Sequence, residues 1–207
     1  MAGDAGYWDE VYATKAGDDV SWYEAEPSTS LSMIDALNLD PRAGAVDIGG
    51  GASPLAAALL ERGWSNLSVL DISAKALEAN RRALASRAED VEWVVADVAT
   101  WRPPRRYGLW HDRAVLHFLV DTQDQEAYVE ALRSTLELGG GVVIGCFAPD
   151  GPTSCSGLPV VRRDAESLAL LLGPDFALVE ERREVHATPW GAEQHFCWAS
   201  LRHGEQG

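Results

Sequence analysis

The sequence has few cysteines and no long apolar run. Cys146, Cys155 and Cys197 are too few and too scattered for a disulfide framework, and no CxxC motif occurs. No stretch reaches the roughly 18 apolar residues that span a bilayer, and MAGDAGYWDE at the N-terminus lacks the basic and apolar regions of a signal peptide. We therefore expect a soluble, cytoplasmic protein with reduced thiols and no membrane partner.

Positive charge is also scarce. The 207 residues include 17 Lys and Arg against 32 Asp and Glu, which gives a formal net charge of −15. Because non-specific binding of DNA or RNA relies on basic side chains that neutralise phosphates, this composition argues against a nucleic-acid partner. A small-molecule or protein substrate fits better, and nothing in the sequence fixes an oligomeric state.

Strand-like and helix-like segments alternate along the middle of the chain. The predicted strands are 45–48, 67–72, 91–98, 107–112 and 142–148. The predicted helices are 53–63, 74–88 and 123–137, with Ser53 and Ser73 as N-caps of the first two. Strands that alternate with helices of this length predict a parallel sheet with helices on both faces.

Both ends of the chain depart from this alternation. After a helix at 165–173, two long predicted strands, 176–187 and 192–202, flank the turn residues TPWG and predict an antiparallel hairpin. We predict an α/β fold with a Rossmann-like doubly wound sheet of about seven strands, mostly parallel, that ends in this hairpin. The aromatic and acidic segments YWDEVY and SWYEAE predict short helices, so that residues 1–43 cover a core of residues 44–207.

Three features follow the first three predicted strands, where open parallel sheets bind their ligands. Gly49, Gly50 and Gly51 follow the first strand, and such a loop lets backbone N–H groups approach a ligand. Asp71 lies twenty positions after Gly51, a spacing suited to ribose hydroxyls, and Asp97 ends the third strand, where an acid can accept from a base amine. A nucleoside-containing ligand would satisfy all three features.

The glycine loop does not fit a dinucleotide fingerprint. Gly49 and Gly51 match the first two positions of G-x-G-x-x-G, but Pro54 occupies the sixth position, where glycine permits close helix–strand packing. This lowers the case for an NAD(P)-dependent oxidoreductase, which remains the first alternative. No P-loop lysine is present, which argues against an ATPase of that type.

The motifs DIGGGAS, VLDIS and VADV, together with the closing hairpin, resemble the class I S-adenosylmethionine (SAM)-dependent methyltransferases over roughly residues 7–202. The resemblance implies SAM as the cofactor, with Ser53 standing where the family usually has a last glycine. It implies that Asp47 and the glycine loop lie at the methionine end, Asp71 at the ribose and Asp97 at the adenine amine. The implied cofactor-binding residues in these motifs are Asp47, Gly49, Gly50, Gly51, Asp71, Ile72, Asp97 and Val98.

The N-terminal aromatic segment carries a second, shorter resemblance. YWDEVY, with SWY further on, is similar to a branch containing eukaryotic protein-lysine methyltransferases that act on elongation factor and citrate synthase. In that branch the segment covers the cofactor. Trp8, Tyr12, Trp22 and Tyr23 match its pattern loosely, and the resemblance implies cofactor contacts for Trp8, Tyr12 and Trp22. The match is too short to carry a substrate with it.

Catalytic candidates lie in WHDRAVLHFL, residues 110–119, which in this family passes under the transferred methyl group. Its polar residues Asp112, Arg113 and His117 are the candidates; Arg113 is also a candidate cofactor contact, and His117 is a candidate general base because imidazole titrates near neutral pH. Substrate specificity is expected in the loop 148–160 around Cys155. Near the hairpin, His186, Trp190 and His195 are candidates to close the site, and no metal site is predicted.

The sequence therefore predicts an enzyme, a SAM-dependent methyltransferase acting on a nucleophilic N, O or S atom of a small molecule or a protein lysine. Methyl transfer is an in-line displacement in which positioning supplies most of the catalysis, so a base is needed only if the acceptor must lose a proton. A non-catalytic SAM-binding module is the second alternative.

Overall fold

A computed structural model describes residues 3–15 and 19–204 of the chain; the outer limits of the two predicted regions, at residues 1 and 207, lie outside it. The strands are β1 (Ala45–Ile48), β2 (Leu67–Asp71), β3 (Val91–Val95), β4 (Tyr107–Arg113), β5 (Leu136–Phe147), β6 (Ser154–Cys155), β7 (Leu158–Pro159), β8 (Phe176–Ala187) and β9 (Glu193–His203). The helices are α1 (Ala5–Thr14), α2 (Ser28–Ala36), α3 (Leu55–Glu61), α4 (Ala74–Leu84), α5 (Thr122–Thr135) and α6 (Ala165–Leu172).

Seven of these strands form one sheet in the order β3-β2-β1-β4-β5-β9-β8. The first five are parallel to one another, and β9 runs antiparallel to both β5 and β8. The order reverses between β1 and β4, which places a crevice at the carboxyl ends of these strands. The predicted doubly wound sheet with a closing antiparallel hairpin is confirmed.

Two apolar layers hold the sheet. One contains Trp110 and Tyr128, whose side chains are fully buried and joined by a hydrogen bond of 2.8 Å from the indole Nε1 to the phenol oxygen. The other contains Phe147 and Trp198. No helix in the described part of the chain is long and apolar enough to cross a membrane.

The strand β5 begins at Leu136, six residues before the predicted start at 142. The glycines at 139–141 lie inside this strand. A Cβ on Gly141 would lie 2.7 Å from the Cδ1 of Leu37, which follows α2. The missing side chain of Gly141 therefore allows close packing against Leu37.

The N-terminal region differs from its prediction. YWDEVY does lie in α1, whose N-cap Asp4 accepts a hydrogen bond from the backbone N–H of Tyr7 at 2.9 Å. SWYEAE, residues 21–26, is a turn and extended chain, and α2 begins only after Pro27. The residue before a proline is disfavoured in the helical conformation, which explains why a helix does not run through Glu26.

Candidate active site

Two adjoining cavities open at the carboxyl ends of β1, β2 and β4. The first encloses about 740 Å³ of space and the second about 520 Å³, part of it open to solvent. Their walls share four residues, which are Tyr12, Trp22, Gly49 and Arg113. The two cavities can therefore hold two ends of one extended ligand.

The glycine loop after β1 requires its glycines. Gly49 has a φ of +68°, and a Cβ there would overlap the Cγ2 of Val115. A Cβ on Gly50 would overlap the Oδ2 of Asp47, and one on Gly51 would lie 2.7 Å from the Oδ2 of Asp71. Side chains in this loop would fill the space beside both carboxylates.

Asp47 belongs to a buried polar chain. Its Oδ1 lies 2.7 Å from the Nδ1 of His111, whose Nε2 lies 2.9 Å from the Oγ of Ser30 on α2. Its Oδ2 is buried with no hydrogen-bond partner in the described chain, and Asp47 lines the second cavity. One oxygen of the carboxylate is thus held by His111, and the other can accept a hydrogen bond from a ligand.

Asp71 ends β2 and lines the first cavity together with Ile72. Its Oδ1 accepts a hydrogen bond from the backbone N–H of Ser73 at 2.8 Å. Burial raises the pKa of Asp71 to about 7, which the backbone N–H groups of Ser73 and Gly51 oppose. A hydrogen bond donated by a ligand hydroxyl would stabilise the charged form of this carboxylate.

Asp97 does not reach either cavity. Within the described chain, Ala96 and Val98 on either side of it line the first cavity, while the Oδ1 of Asp97 accepts from the backbone N–H of Ala99 at 2.9 Å. Its carboxylate therefore caps the turn after β3. Val98 lines the first cavity, and its contact with the cofactor stays a prediction.

The contacts of Asp112 indicate a structural role and not a catalytic one. It is fully buried, and its oxygens accept from the phenol of Tyr128 at 2.7 Å and from the backbone N–H groups of Val115 and Leu116 at 2.8 and 3.1 Å. Burial raises its pKa to about 6. Because these donors occupy it and it lies outside both cavity walls of the described chain, it stabilises the turn after β4.

Arg113 lies between the two cavities. Its Nη1 donates to the backbone carbonyl of Trp22 at 2.8 Å, and its Nη2 lies 2.9 Å from the Oε1 of Glu24. Its guanidinium carbon lies 5.1 Å from the centre of the Phe196 ring. The side chain therefore ties the N-terminal segment to the sheet beside the predicted cofactor site.

His117 lines the first cavity and is fully buried. Its ring packs against Phe118 and Phe147, with ring centres 4.4 and 4.8 Å away, and neither ring nitrogen has a hydrogen-bond partner in the described chain. Burial and the positive charge of Arg113 lower the pKa of His117 to about 3. It is therefore a weak base, contrary to the role for which its type suggested it.

The N-terminal aromatics line the cavities. Trp8 is buried and packs against Trp22 and Phe118, with ring centres 5.9 and 5.1 Å away. Tyr12 and Trp22 line both cavities, and Tyr23 lines the second. The structure thus brings all three predicted N-terminal residues to the site.

The candidate residues near the hairpin lie in different surroundings. His186 lies 2.8 Å from the backbone carbonyl of Ser21, so it holds the N-terminal segment. His195 contacts Asp150 at 3.1 Å and is partly exposed, while Trp190 is 61% exposed, and neither lines a cavity in the described chain. Cys155, from the predicted specificity loop, does line the first cavity.

Several residues of the site were not singled out from the sequence, namely the wall residues His111, Phe118, Phe147, Gln194 and Phe196, and Ser30, which contacts His111. His111 alone carried a signal, since a histidine inside a buried strand needs partners for both nitrogens.

Comparison with known proteins decides the class. Residues 45–140 match the family model described as a methyltransferase domain. These residues form a methyltransferase domain, and the chain is similar to the class I SAM-dependent methyltransferases. This confirms the resemblance based on the sequence, and the oxidoreductase alternative is set aside. No curated protein matches the chain significantly.

Solved structures with this fold share little sequence with the methyltransferase. One, from work on the conversion of a disulfide bond into a thioacetal group during echinomycin biosynthesis, is 17% identical with a TM-score of 0.77, over 98% of this chain and 94% of that one. The N-methyltransferase NodS from Bradyrhizobium japonicum, in complex with S-adenosylhomocysteine (SAH), is 18% identical with a TM-score of 0.71, over 95% and 98%. The 1,6-didemethyltoxoflavin-N1-methyltransferase from Burkholderia thailandensis, with 1,6-didemethyltoxoflavin and SAH bound, is 20% identical with a TM-score of 0.70, over 97% and 84%.

Proposed function

We propose that the methyltransferase binds SAM across both cavities and methylates a nucleophilic N, O or S atom of a small molecule. One observation carries the proposal. Two buried carboxylates, Asp47 and Asp71, lie in the walls of two cavities that share Gly49. When bound, SAM supplies an electrophilic methyl group on a sulfonium centre.

The second cavity fits the methionine end. The unpartnered Oδ2 of Asp47 can accept from an ammonium group, and charge-assisted hydrogen bonds of this kind are the strong ones. Gly49 and Gly50 line this cavity, where their backbone can lie against a ligand. His111 fixes the orientation of the carboxylate through Oδ1.

The first cavity fits the nucleoside end. Asp71 can accept from ribose hydroxyls, while Ile72 and Val98 supply apolar contacts for a base. Since Asp97 caps its own turn, base recognition here depends on the backbone and on apolar packing rather than on that carboxylate.

A small acceptor fits better than a protein lysine because the N-terminal segment is tied down over the site. The Oγ of Ser73 donates to the Oδ1 of Asp9 at 2.6 Å, and Tyr7 donates to the carbonyl of Ser156 in the loop between β6 and β7. Together with the bond from Arg113 to Trp22, these contacts support the proposal that residues 3–15 and 19–24 form a cover. Among the solved neighbours, one was crystallised with the small molecule 1,6-didemethyltoxoflavin.

Two experiments test this function. Calorimetry with SAM, SAH and NADH should show binding of the first two and none of the third; NADH binding without SAM binding would refute the proposal. Incubation with methyl-labelled SAM and a lysate, split into small-molecule and protein fractions, should label the small molecules. Label on protein would move the acceptor to lysine or another side chain, and label in neither fraction would indicate a non-catalytic SAM-binding module.

A further inference from the structure

The proposed cofactor contacts leave part of the first cavity wall unassigned. Six rings form this part, which we term the aromatic box: Trp8, Trp22, His117, Phe118, Phe147 and Phe196. These residues come from α1, the segment after it, the turn after β4, and the strands β5 and β9. The box is therefore assembled only in the folded chain.

The rings of the box pack against one another in succession around the cavity. Neighbouring rings around it have centres 4.4 to 5.9 Å apart. Arg113 closes the box, since its guanidinium lies over Phe196 at 5.1 Å and its Nη1 donates to the carbonyl of Trp22 at 2.8 Å. Aromatic walls of this kind suit a flat, mostly apolar ligand.

His117 in the box and Arg113 beside it have polar atoms without a hydrogen-bond partner in the described chain. Neither nitrogen of His117 has a partner in the described chain, and the Nε of Arg113 is buried without one. Leaving a buried polar group unpaired costs free energy, so native proteins rarely do so without a reason. A polar ligand atom that contacts His117 would supply the missing partner.

The charge of the box favours an electron-rich ligand atom. Arg113 is the charged group whose field acts on His117. Two carboxylates of the described chain act on Arg113: its ion-pair partner Glu24, which lines the second cavity, and Glu184, which lines neither cavity. The only carboxylate in the described wall of the first cavity is Asp71, at the nucleoside end. An ammonium acceptor would therefore have no counter-ion in the box, whereas an anion would face Arg113 and an N–H of His117.

We propose that the aromatic box is the acceptor subsite and that it binds an aromatic thiol or phenol as its anion, with the nucleophilic atom hydrogen-bonded to His117. This inference rests on the proposed function, since it needs SAM in the neighbouring part of the cavity. His117 would then be a catalytic residue that donates a hydrogen bond and does not remove a proton.

The reaction balances without a base. The acceptor loses its proton to solvent when it binds as the anion. A lone pair of its sulfur or oxygen then forms a bond to the methyl carbon, and the carbon–sulfonium bond breaks with its electron pair kept by the cofactor sulfur. The sulfonium cation and the acceptor anion become two neutral products, and a site of low dielectric constant does not disfavour this loss of charge.

Among the titratable groups in the described wall of this cavity, Asp71 also titrates near neutral pH, because burial raises its pKa to about 7. Burial raises the pKa of Tyr12 and of Cys155, so both side chains stay neutral. Burial lowers the pKa of His117 to about 3, so its imidazole is neutral near pH 7. Asp71 contacts the ribose in the proposed complex.

Binding is tested first, with SAH in place of SAM so that no transfer occurs. Thiophenol absorbs differently as thiol and thiolate, so its titration in the ternary complex gives its bound pKa. We expect that pKa to fall below the free value and benzylamine not to bind. His117→Phe keeps the ring but loses the N–H, so it should raise the bound pKa and weaken binding about 10- to 100-fold. His117→Gln, which keeps a donor, should restore part of both.

SAH affinity is the control that shows each variant is folded, and it should be unchanged in both. Turnover with SAM then compares thiophenol, phenol, aniline and benzylamine, and thiophenol or phenol should be methylated fastest. Methylation of benzylamine in preference to both, or a bound pKa that His117→Phe does not move, would overturn the inference. If SAM and SAH themselves do not bind, the proposed function fails instead.

Discussion

The carboxylate of Asp47 and the imidazole of His111 share a buried hydrogen bond of 2.7 Å across the adjacent strands β1 and β4. The second ring nitrogen of His111 reaches Ser30 on α2. A residue of the glycine-loop motif is thereby oriented by a strand and a helix that lie outside that motif.

Removing this support should weaken SAM binding. In His111→Phe, Asp47 loses its partner and its fixed orientation, and we expect SAM affinity to fall about 10- to 100-fold, the worth of a hydrogen bond to a charged group. Ser30→Ala, which leaves the bond between Asp47 and His111 in place, should cost less. Calorimetry checks both, and wild-type affinity in His111→Phe would show that Asp47 needs no such support.

SAM binding should depend on pH through Asp71. Its pKa of about 7 in the free protein means that the carboxylate is largely protonated below pH 7, when it cannot accept from both ribose hydroxyls. Affinity should therefore fall as the pH drops below about 7, at most tenfold per unit for one linked proton, and level off above it.

The matched control is Asp71→Asn, which has nothing to titrate at this position. It should bind SAM weakly at every pH and lose the dependence around neutrality. A wild-type affinity that does not change between pH 6 and pH 8 would show that this carboxylate does not contact the ligand.

Gly49 and Gly63 form a matched pair for the glycine loop. Both have positive φ, +68° and +82°, so alanine strains either backbone by about 1 kcal/mol. Only Gly49 is crowded, since a Cβ on Gly63 meets nothing within 4 Å in the described chain. Gly49→Ala should abolish SAM binding, while Gly63→Ala should lower only the free energy of unfolding. Equal SAM affinity in both variants would contradict a close approach of SAM to the backbone at Gly49.

Asp112→Asn should affect stability more than catalysis. Asn offers one acceptor oxygen to the three donors around Asp112, so the free energy of unfolding should fall by about 2 kcal/mol. Urea unfolding and kcat measure the two effects. A general acid or base contributes about 100-fold or more to rate, so a loss of that size in a fully stable variant would restore the catalytic role.

The sequence predicted the parts of the site that depend on local chain geometry. The glycine loop and Asp71 follow directly from where strands end, because the carboxyl ends of parallel strands meet at one edge of the sheet. The hairpin strand 176–187 was predicted with the bounds that β8 has, since its turn residues are local.

Long-range packing accounts for what could not be predicted. Phe147 and Phe196 meet across β5 and β9, and their contact with His117 depends on the fold, so its lowered pKa could not be seen in WHDRAVLHFL. Asp97 and Asp112 were chosen by position after a strand, but the direction of each carboxylate is set by nearby backbone N–H donors. Ser30 was missed because α2 was not predicted.

The most direct test is a crystal structure of the methyltransferase with SAH. The account predicts ribose hydroxyls within hydrogen-bonding distance of Asp71, the amino group at the Oδ2 of Asp47, and the sulfur facing the aromatic box. SAH bound with its ribose away from Asp71, or outside these two cavities, would contradict it.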